Sequence, residues 1–243
     1  MKPTSPLDVK ILCILKIGKL EHLQQIQKGT LYCRSLNFYK SIEQKDKPHY
    51  DSNEGVFAVH QAKDVTLKIF NPKTGDKLEI NHQNGLLNQV ILTENLNKPI
   101  FCLHAIHTGE WTNKVIGQNE LHEFMSYIKS FEKMKNFGSH VLYFKNANEF
   151  INRIVTASNV MRFGFTSRLV EYKDFTASSF ILDNSKMGFV KSTKFSIERE
   201  FRIIFNGLDF PDPFRVNIGD LSDICEIVTL EEFLHTISVD FKK

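Results

Sequence analysis

The segment FSIEREFRIIF holds Glu198 and Glu200 two residues apart, with Arg202 next in the row. On an extended strand alternate side chains share a face. Ser196, Glu198, Glu200 and Arg202 would then line one side, and Phe195, Ile197, Phe201, Ile203 and Phe205 the other, interrupted by Arg199. At ~3.3 Å per residue the two carboxylates stand roughly 6–7 Å apart, and Arg202 can hold Glu200 ionised in a single rotamer. A carboxylate held this way can bond a ribose hydroxyl and stabilise positive charge as a glycosidic bond breaks, while a second can orient or deprotonate the attacking nucleophile. The same row also fits a solvated strand face closed by a salt bridge.

Other residues could carry chemistry. Asp51 and Glu54, in YDSNEGV, form a second acidic pair ahead of Gly55. They could contact ribose hydroxyls or a metal ion, or simply make the local turn bonds that Asp, Ser and Asn favour. Cys102, His104 and His107 suggest zinc, but on a strand the first two point one way and His107 the other, so no metal site is expected. The four cysteines (Cys13, Cys33, Cys102, Cys225) lack CxxC spacing and sit in apolar runs, as reduced buried thiols would. No GxGxxG, P-loop, GxSxG or HExxH occurs, which argues against the enzymes built on those motifs.

The positioning elements can be read from periodicity. Val9 to Ile17 is nearly continuous apolar and reads as a buried strand. KLEHLQQIQKG follows as a short amphipathic helix stopped by Gly29, then TLYCRSL as a strand and NFYKSIEQ as a helical turn capped by Ser35 or Asn37. Residues 44–54 read as an exposed polar loop. GVFAVHQ, DVTLKIF and KLEINH read as strands, the last two forming a hairpin across NPKTGD. KPIFCLHAIHTG is a further strand, and a helix is expected over Glu120–Lys135. SHVLYF is a strand, and NANEFINRIVTASNVM a helix capped by Asn146. RFGFTSRLVEYKDF, FSIEREFRIIFNG and ICEIVT read as strands and LEEFLHTI as a closing helix. The order does not alternate regularly. It predicts an α+β fold over residues 1–243 as one domain, with a mainly antiparallel, mixed sheet and a few packed helices.

With 243 residues, 42% hydrophobic and 24% charged, the composition is that of a globular chain, and 21 Phe supply its main core filler. The net charge of +3 is too small to imply nucleic-acid binding, but it is unevenly spread. Residues 1–50 carry nine Lys/Arg against four Asp/Glu; residues 193–243 carry six against ten. The basic end, with Lys10, Lys16 and Lys19, could attract a polyanion or a binding partner, or be a solvated face. The N-terminal segment lacks the apolar core of a signal peptide, and no run of ~18 apolar residues occurs, so a cytoplasmic protein with no membrane segment is expected.

The E-x-E pair on a late strand resembles the motif of ADP-ribosyltransferases. More widely, GTLYCRSLNFYKSIE…DSNEG, PIFCLHAI, FGSHVLYFKNANEFINRI and KFSIEREFRI resemble an uncharacterised family of prophage and defence-island proteins, itself similar to the ADP-ribosyltransferase fold. The resemblance implies an ADP-ribosyltransferase-like fold and NAD as cosubstrate. It implies a toxin or phage-defence effector that modifies RNA or protein, with an antitoxin protein as partner. It makes Glu200 catalytic, Glu198 the residue that assists the nucleophile, and Arg202 their fixing cation. Lys16, Arg34, Ser35, Tyr39 and Glu54 become the candidate nucleotide cradle. Two departures stand out: the first strand offers Lys10 and Lys16 where the transferases carry Arg or His, and their Ser-Thr-Ser motif is only partly echoed by Phe165-Thr166-Ser167. A non-catalytic interaction protein, and a metal-dependent nucleic-acid-processing enzyme using Asp51, Glu54 and Glu198, are the competing readings.

Overall fold

The computed structural model describes residues 9–41, 50–80, 89–93, 97–112, 117–207 and 210–238. The chain runs β1 (Ile11–Gly18), α1 (Leu20–Gln27), β2 (Thr30–Ser35), α2 (Leu36–Ser41), β3 (Val56–Gln61), β4 (Leu67–Phe70), β5 (Lys77–Ile80), β6 (Gln89–Thr93) and β7 (Pro99–His107). It continues α3 (Gln118–Lys129), β8 (His140–Phe144), α4 (Ala147–Met161), β9 (Gly164–Leu169), β10 (Glu171–Lys173), β11 (Phe180–Ile181) and β12 (Val190–Ser192). It ends β13 (Glu200–Asn206), β14 (Phe214–Asn217), β15 (Cys225–Thr229) and α5 (Leu230–Thr236). Two 3-10 segments matter below: Ser130–Phe137 and Thr193–Glu198. The fold is α+β with mostly antiparallel strands; β10 and β12 pair in parallel.

Eight strands form the main sheet, in the order β14-β2-β7-β1-β8-β15, with β13 on the far edge of β7 and β9 beyond it. The other edge of β7 is shared. Its start pairs with β2 through Pro99 and Ile100, and its end pairs with β1 from His104 to His107. Lys16 reaches into the resulting fork and donates from Nζ to the Cys102 carbonyl at 2.6 Å. That bond lets a lysine sit in an apolar central strand.

Apolar residues cover both faces of this sheet. On one, Leu23 and Ile26 of α1 and Phe150 and Ile154 of α4 pack with Leu103, Phe201, Ile203 and Phe205. On the other, Phe124 and Ile128 of α3, Phe131 and Met134 of the following 3-10 segment, and Phe233 of α5 pack on Leu15, Ile17 and Val141. A small three-stranded sheet, β11-β3-β6, builds a further cluster around Val56, Val59, Phe175, Leu182 and Val190. Among the described residues no helix is long and apolar enough to cross a membrane.

Most of the expected elements are present. Gly29 ends α1 at φ 89°, where a Cβ would come within 2.0 Å of the Gly219 carbonyl oxygen, so only glycine fits the turn. The Ser35 hydroxyl accepts from the Phe38 amide at 3.2 Å at the start of α2, and β4 and β5 form the expected hairpin. Asn146 caps α4, its Oδ1 accepting from the Glu149 amide at 3.0 Å. Asn146→Ala should therefore cost about 1 kcal/mol in chemical denaturation; a loss below a few tenths would mean that the cap contributes nothing.

Three expectations are corrected. The helix at Glu120–Lys135 runs as α3 only to Lys129 and then tightens into the 3-10 segment, with Met134 off helical geometry. FSIEREFRIIF is not one strand: Thr193–Glu198 is a 3-10 turn, Arg199 is left-handed at φ 44°, and the strand begins at Glu200. The expected exposure of residues 44–54 fails at Asp51 and Glu54, which are buried at 1% and 3% exposure. Both still make the expected turn: Asp51 Oδ1 accepts from the Asn53 amide, and the Asp51 carbonyl from the Glu54 amide. Residues 42–49, which include the end of the expected NFYKSIEQ turn, lie outside the described residues, as do Asn81 and His82 of the expected KLEINH strand and the last residues of the acidic C-terminal stretch. Strands β6, β11, β12 and β14 were not anticipated. β14 lies on β2 and pairs Asp212 with Arg34 at 3.3 Å, so the basic front and acidic back of the chain meet there.

Candidate functional site

Glu200 stands opposite His104, and Arg202 opposite Cys102, in the β13–β7 pairing. Strand alternation therefore turns Glu200 and Arg202 to one face, while Phe201, Ile203 and Phe205 join the core on the other. Three other segments converge on that polar face. β12 brings Lys191, the 3-10 turn brings Glu198, and the turn before β3 brings Glu54.

The five side chains form a continuous network. Lys191 Nζ donates to Glu198 Oε2 at 2.7 Å and to Glu200 Oε1 at 2.9 Å. Arg202 Nε donates to Glu200 Oε2, and the two Nη groups grip Glu54 in a fork at 2.7 and 3.0 Å. Arg202 Nη1 also donates to the Gly188 carbonyl at 2.6 Å. The Glu200 amide donates to the Tyr172 hydroxyl at 2.9 Å. Each of the five side chains is at most 7% exposed.

Three carboxyls against two cations would leave one negative charge in excess if all were ionised, so one of them is better neutral. Burial opposes ionisation of Glu200, but Arg202 and Lys191, one on each carboxylate oxygen, outweigh it and hold the group well below the usual carboxylate range. Glu198 has Lys191 as its one bonded cation among the described residues, and burial, with the hydrogen bond to Glu200 and its charge, pushes it up to about 9. One carboxyl is thus ionised and the next neutral, the division of labour an acid–base pair needs. Burial disfavours the Lys191 cation too, but Glu200, Glu54 and Glu198 outweigh it and raise the group above its ordinary value.

The network lines a cavity of about 50 Å³ together with Lys16, Tyr39, Cys102 and His104. Of the sequence-derived candidates, Glu198, Glu200, Arg202, Lys16, Tyr39 and Glu54 are brought together here. Arg34 and Ser35 are not: both bond Asp212, and Arg34 lies over the Phe38 ring at 4.1 Å. His104 Nδ1 is 2.6 Å from the Glu198 carbonyl, and His107 packs edge-on to Tyr127. Asp51, Glu54 and Glu198 do not form a metal-ligand set, because Glu54 carries Arg202 and Glu198 carries Lys191. Among the described residues no group of three potential ligands converges.

A second opening adjoins the network. A groove of about 980 Å³ is lined by Glu200, Tyr172, Ser167, Arg168, Phe189 and Arg199, among others. Ser167 is the last residue of the partial Ser-Thr-Ser echo, and its strand pairs with β13, opposite Ile203. The small cavity holds a water or two, whereas the groove has the volume of a nucleotide site. The sequence reading missed Lys191, Arg199 and Tyr172. Lys191 had one local signal: it is a lone cation behind the apolar pair Phe189-Val190.

No protein-family model, curated protein or solved structure matches the chain.

Proposed function

We propose that the chain is an ADP-ribosyltransferase-like enzyme that binds NAD in the groove and transfers its ADP-ribose to RNA or protein. The observation that carries this reading is Glu200: buried, ionised, clamped between Lys191 and Arg202, and shared by the small cavity and the groove. A fixed carboxylate whose charge does not have to be reorganised stabilises the cationic ribosyl carbon as the bond to nicotinamide breaks. NAD supplies an activated glycosidic bond and a good leaving group.

The other residues then have separate tasks. Arg202 and Lys191 orient the carboxylate, and Glu54 fixes Arg202 from behind. Glu198, neutral at ordinary pH and hydrogen-bonded to Glu200, does not accept the nucleophile's proton; it steadies Glu200 and flanks the acceptor. Groove cations such as Arg168 suit the pyrophosphate, and Tyr172 and Phe189 offer rings for a base to stack on. An effector that modifies cellular RNA or protein would need restraint in its own cell, which is the case for an antitoxin partner.

The test is nicotinamide release from NAD by purified protein, with and without total RNA or lysate. Wild type should turn over, and Glu200→Gln should lose about a hundredfold or more of that rate. Glu200→Asp, which keeps the charge but withdraws it from the groove, should also be impaired. No turnover from folded wild type with any acceptor would overturn the reading.

A further inference from the structure

Arg199 belongs to neither the network nor the sequence-derived site. It is 6% exposed, and no carboxylate partner surrounds it among the described residues. Nη2 donates to the Tyr127 carbonyl and to the Ser130 hydroxyl. Nη1 has no hydrogen-bond partner among the described residues. The guanidinium carbon lies 3.5 Å from the centroid of the Tyr127 ring and 4.5 Å from that of Phe131. Its backbone is left-handed, a conformation that a residue with a Cβ rarely adopts and that recurs at functional sites. A buried cation with an open donor and no anion is costly for a fold to keep.

Arg199 also lines the large groove. Lys133 and Arg168 share that lining, as do Lys186, which pairs with Glu171, and two carboxylates, Glu171 and Glu200. Both are already neutralised: Glu171 by Lys173 and Lys186, Glu200 by Lys191 and Arg202. The groove therefore presents uncompensated positive charge beside the Tyr127, Tyr172 and Phe189 rings.

We propose that Arg199, a buried cation without an anion at the wall of this groove, anchors a phosphate of a nucleoside diphosphate moiety there. A planar guanidinium with no carboxylate partner suits a phosphate oxygen, and the Tyr127 and Phe131 rings pack against it. The inference rests on reading the groove as the nucleotide site, but it concerns phosphate binding and not bond cleavage.

The protein carries its own reporter. Trp111, the only tryptophan, has its ring centroid 4.9 Å from Tyr127, the ring under Arg199. ADP, which has no bond to nicotinamide, is titrated at low ionic strength while Trp111 fluorescence is followed, with calorimetry in parallel. Wild type should show saturable binding. Arg199→Gln should weaken it at least about tenfold. Arg199→Lys, which keeps the charge but loses the fork, should fall between the two. Should the Gln variant fail to fold, the Lys variant decides the matter alone. Equal ADP affinity in wild type and the folded variants, or no saturable binding to wild type, overturns the proposal. NAD cleavage together with Arg199-independent ADP binding would overturn this inference and leave the transferase reading standing. Arg199-dependent ADP binding without NAD cleavage would do the reverse.

Discussion

Replacing Arg202 with methionine is expected to destabilise the protein by about 3–5 kcal/mol, the usual cost of breaking a buried ion pair by removing one partner. Arg202 is 1% exposed and satisfies two carboxylates and a backbone carbonyl. Without it, Glu54 loses both of its bonded donors, and Glu200 keeps Lys191 as its one bonded cation. Methionine fills much of the volume but cannot donate, so two buried carboxyls must take up protons or draw in water. In a domain of this size the loss lowers the melting temperature by roughly 10 °C, readable by calorimetry or circular dichroism. Adding Glu54→Gln to Arg202→Met should restore part of the loss, because it removes the stranded charge; non-additivity of about 1–3 kcal/mol is expected for such contacting partners. A loss below about 1 kcal/mol in the single variant would mean that water reaches the network and that it is a surface feature.

That Arg202 faces Glu200 was legible in the sequence, because alternation holds from Glu200 to Phe205. The same alternation misled one step earlier. Phe195, Ile197 and Arg199 continue the period of two, and no Gly or Pro marks a break, yet Thr193–Glu198 coils and Arg199 turns left-handed. Local pattern cannot register a turn imposed by tertiary bonds, here Arg199 to Tyr127 and Ser130, about seventy residues away in sequence. For the same reason Glu54 was only one half of an acidic pair in a loop. What makes it part of the site is Arg202, 148 residues on. Arg34 illustrates the opposite error: a cation on an early strand suits a nucleotide cradle by type, but the unanticipated β14 brings Asp212 beside it.

Glu198→Gln is expected to make the protein more stable than wild type at alkaline pH and to flatten its pH dependence. The unfolded carboxyl titrates near the ordinary value of 4.5, and the folded one is raised to about 9 by burial and by Glu200. Between those values the folded chain holds a proton that the unfolded chain has released, so rising pH favours unfolding. The stabilisation is fully present below the unfolded value and is lost as pH climbs through the folded one. The slope is about 1.4 kcal/mol per pH unit, hence a loss of about 4 kcal/mol from pH 5 to pH 8. The charged side chains bonded to Glu198 and its neighbour do not titrate across this window: Glu200 is held well below it, and Lys191 is raised above it. Tyr172 and Cys102 are also raised, the latter to about 12. His107, lowered by burial to about 4, and Asp51 affect wild type and variant alike, so they cancel in the difference. Glutamine mimics the neutral acid, so urea midpoints of the two proteins should nearly coincide at pH 5 and separate steadily toward pH 8. Parallel curves would mean that Glu198 is ionised on Lys191, and then it could take a proton from an acceptor. Diverging curves leave Glu200 as the charged carboxyl of the pair and restrict Glu198 to holding and orienting what Glu200 acts upon.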